Sequence, residues 1–449
     1  MENKRAIAIA VSLVIVFIIS IIITRISLGL SKPFYLVAGA NSAAIFAVIA
    51  IFLLRDRYDN RRRLLEAQMV SASHELRIEY SFLRKVAGVP TKFQYREIEV
   101  ATDGFHCMVG KGSSGSVFKG ILSNGTPVAV KRIESQERGE KEFRSEVAAI
   151  ASVQHMNLVR LLGYCCVPTG PRFLVYDFVP NGSLDKWIFP HKEHIGGCLE
   201  WGLRVGVAID VAKALSYLHH DCRSRILHLD VKPHNILLDE NFRGSVSDFG
   251  LSKLMGKDES RVVTSIHGTK GYLAPEWLLE QGASEKCDVY SYGIVLLEIV
   301  GGTRSVRVID KENSNDESQR RVQYFPKIVS ERLREGRVME VVDSRVVDKG
   351  GVDEREVRRL VCIGLWCIQE NPKMRPSMAQ VVDMLEGLLE VEEPPKAQMV
   401  MVDLLEIDEL EENPSHYRRR NAVLQAIQEN CNDHSSMSCS FTLSVLSGR

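Results

Sequence analysis

The segment LHLDVKPHNILLD places Asp230, Lys232 and Asn235 close together on one short run, and Asp248, Phe249 and Gly250 follow it. Ala274, Pro275 and Glu276 close the series. Upstream, GKGSSGSV carries Gly110, Lys111, Gly112, Gly115 and Val117, and the β-branched run VAVK spans Val128, Ala129, Val130 and Lys131. Transfer of a phosphoryl group needs a carboxylate to accept a hydroxyl proton, acidic and amide oxygens to hold a divalent cation, and a cation over the developing charge. Asp230 suits the first task, Asn235 and Asp248 the second and Lys131 the third, with Lys232 beside Asp230. A glycine triplet alone is weak, because such spacings arise by chance in turns. Five motifs in this order and spacing are not matched by solvated loops, and they assign the chain to catalysis.

Those side chains need elements to aim them. Glycines between extended apolar residues give a hairpin whose backbone N–H groups can approach phosphate oxygens without Cβ interference. Lys131, at the end of its strand, needs an orienting carboxylate. The stretch EKEFRSEVAAIASV supplies Glu146 on a predicted helix whose Val147, Ile150 and Val153 face a core, and Glu142 is a less well placed competitor. Gly88 and Pro90 break the pattern ahead of Phe93, and Pro394 with Pro395 break it after Leu389. The reading divides the chain into residues 1–33 (a signal peptide or first membrane helix with a short loop), 34–54 (a membrane helix), 55–104 (a juxtamembrane segment), 105–389 (the catalytic unit) and 390–449 (an acidic, then Ser-rich, disordered tail).

The membrane expectation rests on two apolar runs. Ala6–Ile23 gives a helix of roughly 27 Å and Phe34–Leu54 one of roughly 31 Å, close to a bilayer core. Arg55, Arg57, Arg61, Arg62 and Arg63 follow the second run and place the remainder on the cytosolic side. The 10 cysteines agree with that side, since none precedes Cys107 and no CxxC pair occurs. Little chain is left outside the membrane for a folded ectodomain. His191 and His194 near Cys198 read as a solvated insert rather than a metal site. Lys plus Arg and Asp plus Glu both number 57, so no net field exists to attract nucleic acid. That neutrality averages a basic collar after the second run with an acidic stretch from Glu392 to Glu412.

From about Phe93 to Leu389 the sequence resembles the eukaryotic protein kinases, and among them the plant receptor-like kinases related to the interleukin-receptor-associated kinases. FQYREIEVATDGF, HMNLVRLLGYC, LVYDFVPNGSLDKWIF, GTKGYLAPEWL, DVYSYGIVLLEIVGG and CIQENPKMRPSM carry the resemblance. It implies an α+β bilobal fold, with a small β-rich lobe and a larger helical lobe, behind one or two transmembrane helices. ATP with Mg2+ or Mn2+ is expected between the lobes. Leu174–Phe178 is expected at the hinge, with Tyr176 as gatekeeper and Tyr176 and Phe178 at the nucleotide. The resemblance further implies that Asp288 braces the catalytic loop, that Arg375 pairs with Glu276, and that Lys232 with Thr269 marks Ser/Thr specificity. One departure stands out: Leu229 occupies the place of the arginine that gathers an activation-loop phosphate, the non-RD pattern. Ser260, Thr264 and Ser265 are the loop hydroxyls affected. Expected partners are Ser/Thr-bearing proteins, the lipid bilayer, and an ectodomain-bearing receptor or a second copy, but not nucleic acid. The expected site is the plasma membrane with the kinase domain in the cytosol. A catalytically weak pseudokinase-like scaffold or a co-receptor subunit is the alternative.

Overall fold

The computed structural model describes residues 19, 22–26, 39, 41–42, 90–112, 115–133, 137–150, 153–167, 170–190, 197–256, 259, 261–262, 268–278, 282–309, 321–396 and 399. The chain divides into two units, Met1–Lys85 and Val86–Arg449. In the first, the described residues are helical. Among the described residues no helix is long and apolar enough to cross a membrane. The expected spans 6–23 and 34–54 lie almost wholly outside those residues.

In the second unit, a six-stranded sheet comes first. Its strands are β1 (Thr91–Lys92), β2 (Met108–Gly112), β3 (Gly115–Ile121), β4 (Pro127–Ile133), β5 (Leu161–Cys166) and β6 (Arg172–Asp177), in the order β1-β5-β6-β4-β3-β2. β1 runs parallel to β5 and all other pairs are antiparallel. Period-two burial turns Phe118, Val128 and Val130 to one face. There they meet Phe173, Val175 and Cys165. Phe105 stacks on Phe173 at 5.5 Å and meets Phe118 edge-on at 5.3 Å.

α1 (Tyr95–Ala101) seals this face with Ile98, which is fully buried. Packing in this unit thus extends ahead of residue 105 to include α1. Gly163 makes the close approach of β1 feasible, since a Cβ at that position would lie 2.1 Å from Thr91 O. α2 (Glu137–Ile150) buries Phe143, Val147 and Ile150, while Val153 is buried just beyond the helix end.

The helical part is built from α3 (Asp185–Ile188), α4 (Trp201–Ser216), α5 (Pro275–Leu278), α6 (Glu285–Gly301), α7 (Phe325–Arg334), α8 (Ser344–Val347), α9 (Glu354–Cys367) and α10 (Met378–Leu385). Short antiparallel pairs stand between them: β7 (Arg225–Leu227) with β10 (Lys253–Met255), β8 (Ile236–Leu238) with β9 (Gly244–Val246), and β11 (Val306–Ile309) with β12 (Arg321–Tyr324). α6 is the hub, buried on every side from Cys287 to Val300, its carboxylates Asp288 and Glu298 included. Ser284 caps it at the N-terminus and Gly302, at φ 57°, closes it. α9 crosses it at a contact of small residues, where a Cβ on Gly293 would stand 2.6 Å from Cys367 Cβ.

Beyond α10, residues 390–396 form neither helix nor strand but lie against α9, with Trp366 Nε1 donating to Glu392 O at 3.0 Å. Most of the expected tail, 397–398 and 400–449, lies outside the described residues. Backbone hydrogen bonding to a neighbouring helix leaves no periodic signature in the sequence. The eight described cysteines are all free thiols.

Candidate active site

The sheet and the helical part meet at a cleft of about 470 Å³, into which Gly110, Val117, Ala129, Lys131, Glu146, Tyr176 and Phe178 all face together with Asn235 and Asp248. An adjoining cavity of about 660 Å³ shares Gly110, Lys131 and Asp248 and adds Lys111, Gly112, Gly115, Asp230 and Lys232. The fold thus gathers all the site residues expected from the sequence.

Strand register accounts for one side. Lys131 stands across from Val117 on β3 and from Leu174 on β6, and Ala129 stands across from Tyr176. Gly115 takes φ 135°, and a Cβ there would collide with Arg132 O at 2.1 Å, so the hairpin over the cleft requires glycine. Lys131 Nζ donates to Glu146 Oε2 at 2.9 Å and to Asp248 Oδ1 at 2.6 Å. Tyr176 Oη donates to the other oxygen of Glu146. The side chain of Glu142 lies outside the described residues.

Burial works against the Lys131 ammonium, yet the Glu146 and Asp248 carboxylates hold its pKa above the ordinary lysine value. Burial likewise opposes charge on Asp248, and Lys131 overrides it, leaving that carboxyl below its usual value. Lys131 and Asp248 are therefore both ionised at neutral pH. β6 extends through Asp177, so of the expected hinge only Phe178 lies past the strand.

The other side is the segment after β7. Lys232 Nζ donates to Asp230 Oδ2 at 2.6 Å and to Thr269 Oγ1 at 2.8 Å, and Thr269 Oγ1 donates to Asp230 Oδ1 at 2.9 Å. Asn235 Nδ2 donates to the Asp230 carbonyl and to Oδ2, each at 2.9 Å. Both carboxylate oxygens of Asp230 are fixed, and the amide oxygen of Asn235 is left to face a ligand.

Leu229 adopts φ 63° and is buried. That conformation costs a side-chain-bearing residue about 1–3 kcal/mol and persists only where surroundings enforce it. Asp288 enforces it, accepting from Leu229 N at 2.7 Å and His228 N at 2.8 Å. Its third donor, His219 Nε2 at 2.8 Å, comes from the π-helical turn Tyr217–Asp221 that ends α4. Burial opposes ionisation of Asp288, and the His219 hydrogen bond leads the interactions that hold its pKa below the usual carboxylate range. His228 accepts from Asp230 N at Nδ1 and donates from Nε2 to Ser247 O, which sets its tautomer.

Sequence reading missed His219 and Ser247. His219 sits in a helical turn with no motif around it, whereas Ser247, adjacent to Asp248, was available from its position. Val109, Leu237 and His234 also line the cleft unannounced. Glu276 and Arg375 form a buried bidentate pair at 2.7 and 2.8 Å.

The protein kinase domain profile matches residues 105–385. Among characterised proteins, the chain is 56% identical to a probable receptor-like protein kinase of Arabidopsis thaliana, At5g20050, over 100% of both chains. The chain belongs to the protein kinase family, among its receptor-like members. Two further Arabidopsis relatives are named G-type lectin S-receptor-like serine/threonine-protein kinases. SD2-5 is 41% identical over 82% of this kinase and 43% of its own length. At1g34300 is 44% identical over 70% of this kinase and 37% of its own length. This kinase thus spans less than half of either lectin-type relative.

The donors present suit the cofactors of the family. The Asp248 carboxylate and the Asn235 amide oxygen are hard oxygen ligands of the kind Mg2+ takes, and Val117 and Ala129 offer an apolar slot beside them. Among the described residues no group of three or more His, Cys, Asp and Glu is placed to hold a metal. His191 and His194 lie outside those residues, as do Ser260, Thr264 and Ser265.

Proposed function

We propose that the chain is a membrane-anchored serine/threonine kinase of the non-RD type, acting at the plasma membrane with its catalytic unit in the cytosol. It passes the γ-phosphoryl group of ATP to hydroxyls of protein substrates and takes its input from an ectodomain-bearing partner or a second copy. The observation that carries the catalytic part is the Asp230 carboxylate, fixed by Lys232, Thr269 and Asn235 in a cavity continuous with Lys131 and Asp248.

Asp230 accepts the proton of the attacking hydroxyl, and Lys232 beside it offsets the charge developing there. Asn235 and Asp248 would hold the divalent cation, Lys131 the α- and β-phosphates, and the backbone around Gly110, Lys111, Gly112 and Gly115 the remaining phosphate oxygens. Ala129, Val117, Tyr176 and Phe178 would enclose the base. When bound, nucleotide and cation supply the transferable group and neutralise its charge. Glu146, held by Tyr176, keeps Lys131 aimed at the cleft.

Ser/Thr specificity draws support from the Lys232–Thr269 contact at 2.8 Å and from the relatives named serine/threonine-protein kinases. Membrane anchoring draws support from the two apolar runs with their arginine collar and from the receptor-like relatives. The test is phosphoamino-acid analysis of substrate labelled by the full chain, with Lys131→Met as control, after alkaline carbonate washing of membranes. Phosphoserine and phosphothreonine from a wash-resistant enzyme are expected. Phosphotyrosine, or label transfer that survives Lys131→Met, would sink the catalytic reading, and full release by carbonate would sink the anchoring.

A further inference from the structure

Residues 390–396 and Met399 are tied down at several points on α9 and the turn after it. Trp366 donates to Glu392 O, Gln369 Nε2 reaches Pro395 O at 3.4 Å, Arg358 pairs with Glu393, and Met399 N donates to the Glu370 carboxylate. Met399 itself is buried.

Gln369 and Glu370 also carry the carbonyls that seat Arg375. Arg375 Nε donates to Gln369 O at 2.7 Å and Nη2 to Glu370 O at 3.1 Å. Its remaining N–H groups go to Lys286 O at 2.8 Å and to the two oxygens of Glu276. All five donors of this buried guanidinium are used, so a shift of the 369–370 turn either strands two of them or draws Arg375 away from Glu276. Glu276 stands in α5, directly after the stretch that begins with Gly268 and carries Thr269, whose hydroxyl donates to Asp230. A continuous chain of contacts therefore runs from the 390–399 segment to the stretch that flanks Asp230.

We propose that residues 390–399 are a positioning strap. Through Gln369, Glu370 and Arg375 the strap holds Glu276, and with it the 268–276 stretch against which a protein substrate lies. The strap rests on the kinase reading of the cleft for its effect on turnover. The bonds named above all end on α9 and the 369–370 turn, in the helical part.

The experiment compares the full chain with chains ending after Leu389 and after Val400. The chain ending after Val400 keeps the strap and should match the full chain. The chain ending after Leu389 should raise the KM for a peptide substrate about fivefold or more, leave the KM for ATP unchanged, and speed amide exchange in residues 268–278 and 369–375. Equal peptide KM and equal exchange in the chain ending after Leu389 would overturn the proposal, and so would the same defect in the chain ending after Val400. Should the shorter chain fail to fold, Trp366→Phe and Gln369→Leu in the full chain decide, since each removes one strap bond. A rise in peptide KM alone supports the strap, and no change, or parallel changes in both KM values, overturns it. Should the full chain not transfer phosphate, the kinase reading falls and the exchange comparison still settles whether the strap holds the 268–278 stretch.

Discussion

Lys131 Nζ stands 2.6 Å from Asp248 Oδ1, so the strand that carries the cation and the loop that carries the acid already meet across the cleft. Both groups are ionised, and the same Nζ also serves Glu146. Lys131→Met should lower label transfer at least about 100-fold, and Asp230→Asn by about 10²–10⁴, the usual range for loss of a general base. Melting temperatures should show both variants folded. Retention of more than a tenth of parental turnover by Asp230→Asn would remove that residue from the proton transfer.

Leu229 is apolar and buried, and it offers nothing to a phosphate on the loop that follows. The double variant Thr264→Ala, Ser265→Ala should keep turnover within about threefold of the parent. Steady-state assays on protein treated with phosphatase beforehand check this, and a hundredfold fall would show that a loop phosphate has found another cation.

Arg375 and Glu276 are both buried, and the pair is bidentate. Removing one partner of such a pair strands the other charge, so Arg375→Met should cost about 3–5 kcal/mol in urea unfolding. A cost under about 1 kcal/mol would mean that water reaches Glu276 in the folded chain.

Glu298 is fully buried in α6 and accepts from Tyr272 Oη and Ser305 N. Burial pushes its pKa from 4.5 up to about 7. Between those values the native chain keeps a proton that the unfolded chain has lost. The stabilising contribution of this group is therefore complete below about pH 4.5 and falls away as the pH rises to about 7. Glu298→Gln should gain stability relative to the parent between about pH 5 and pH 8, by an amount on the order of 3 kcal/mol. Urea titrations across that range would show diverging midpoints, and parallel midpoints would refute the assignment.

Much of the cleft was legible because its chemistry is written in short linear motifs. The motifs GKGSSGSV, VAVK, DVKPHN and DFG each carry their chemistry within a few residues, so reading the motif located the side chain. Glu146 was legible for a different reason, since helical spacing of Val147 and Ile150 turned it toward Lys131. What escaped depends on contacts between distant segments. β1 is two residues long, too short for any alternation to show. His219 is defined by a π-turn and by Asp288 across the fold, and the segment after α10 is held partly through the Glu392 and Pro395 carbonyls, a group that every residue possesses. Nothing in LVYDF marks where β6 ends, and the strand runs on through Asp177.

Thr91 and Lys92 do more than lengthen a sheet. β5 reads LLGYCC, a run without charge or proline and with two thiols, and β1 lies along the side of it that faces away from β6. Were β1 absent, that side would offer open N–H and C=O groups to any other chain, the usual seed of intermolecular strand pairing. A strand of two residues ending in a lysine is too short and too charged to recruit a further partner. The two residues thus guard against self-association, most of all while the sheet is being assembled.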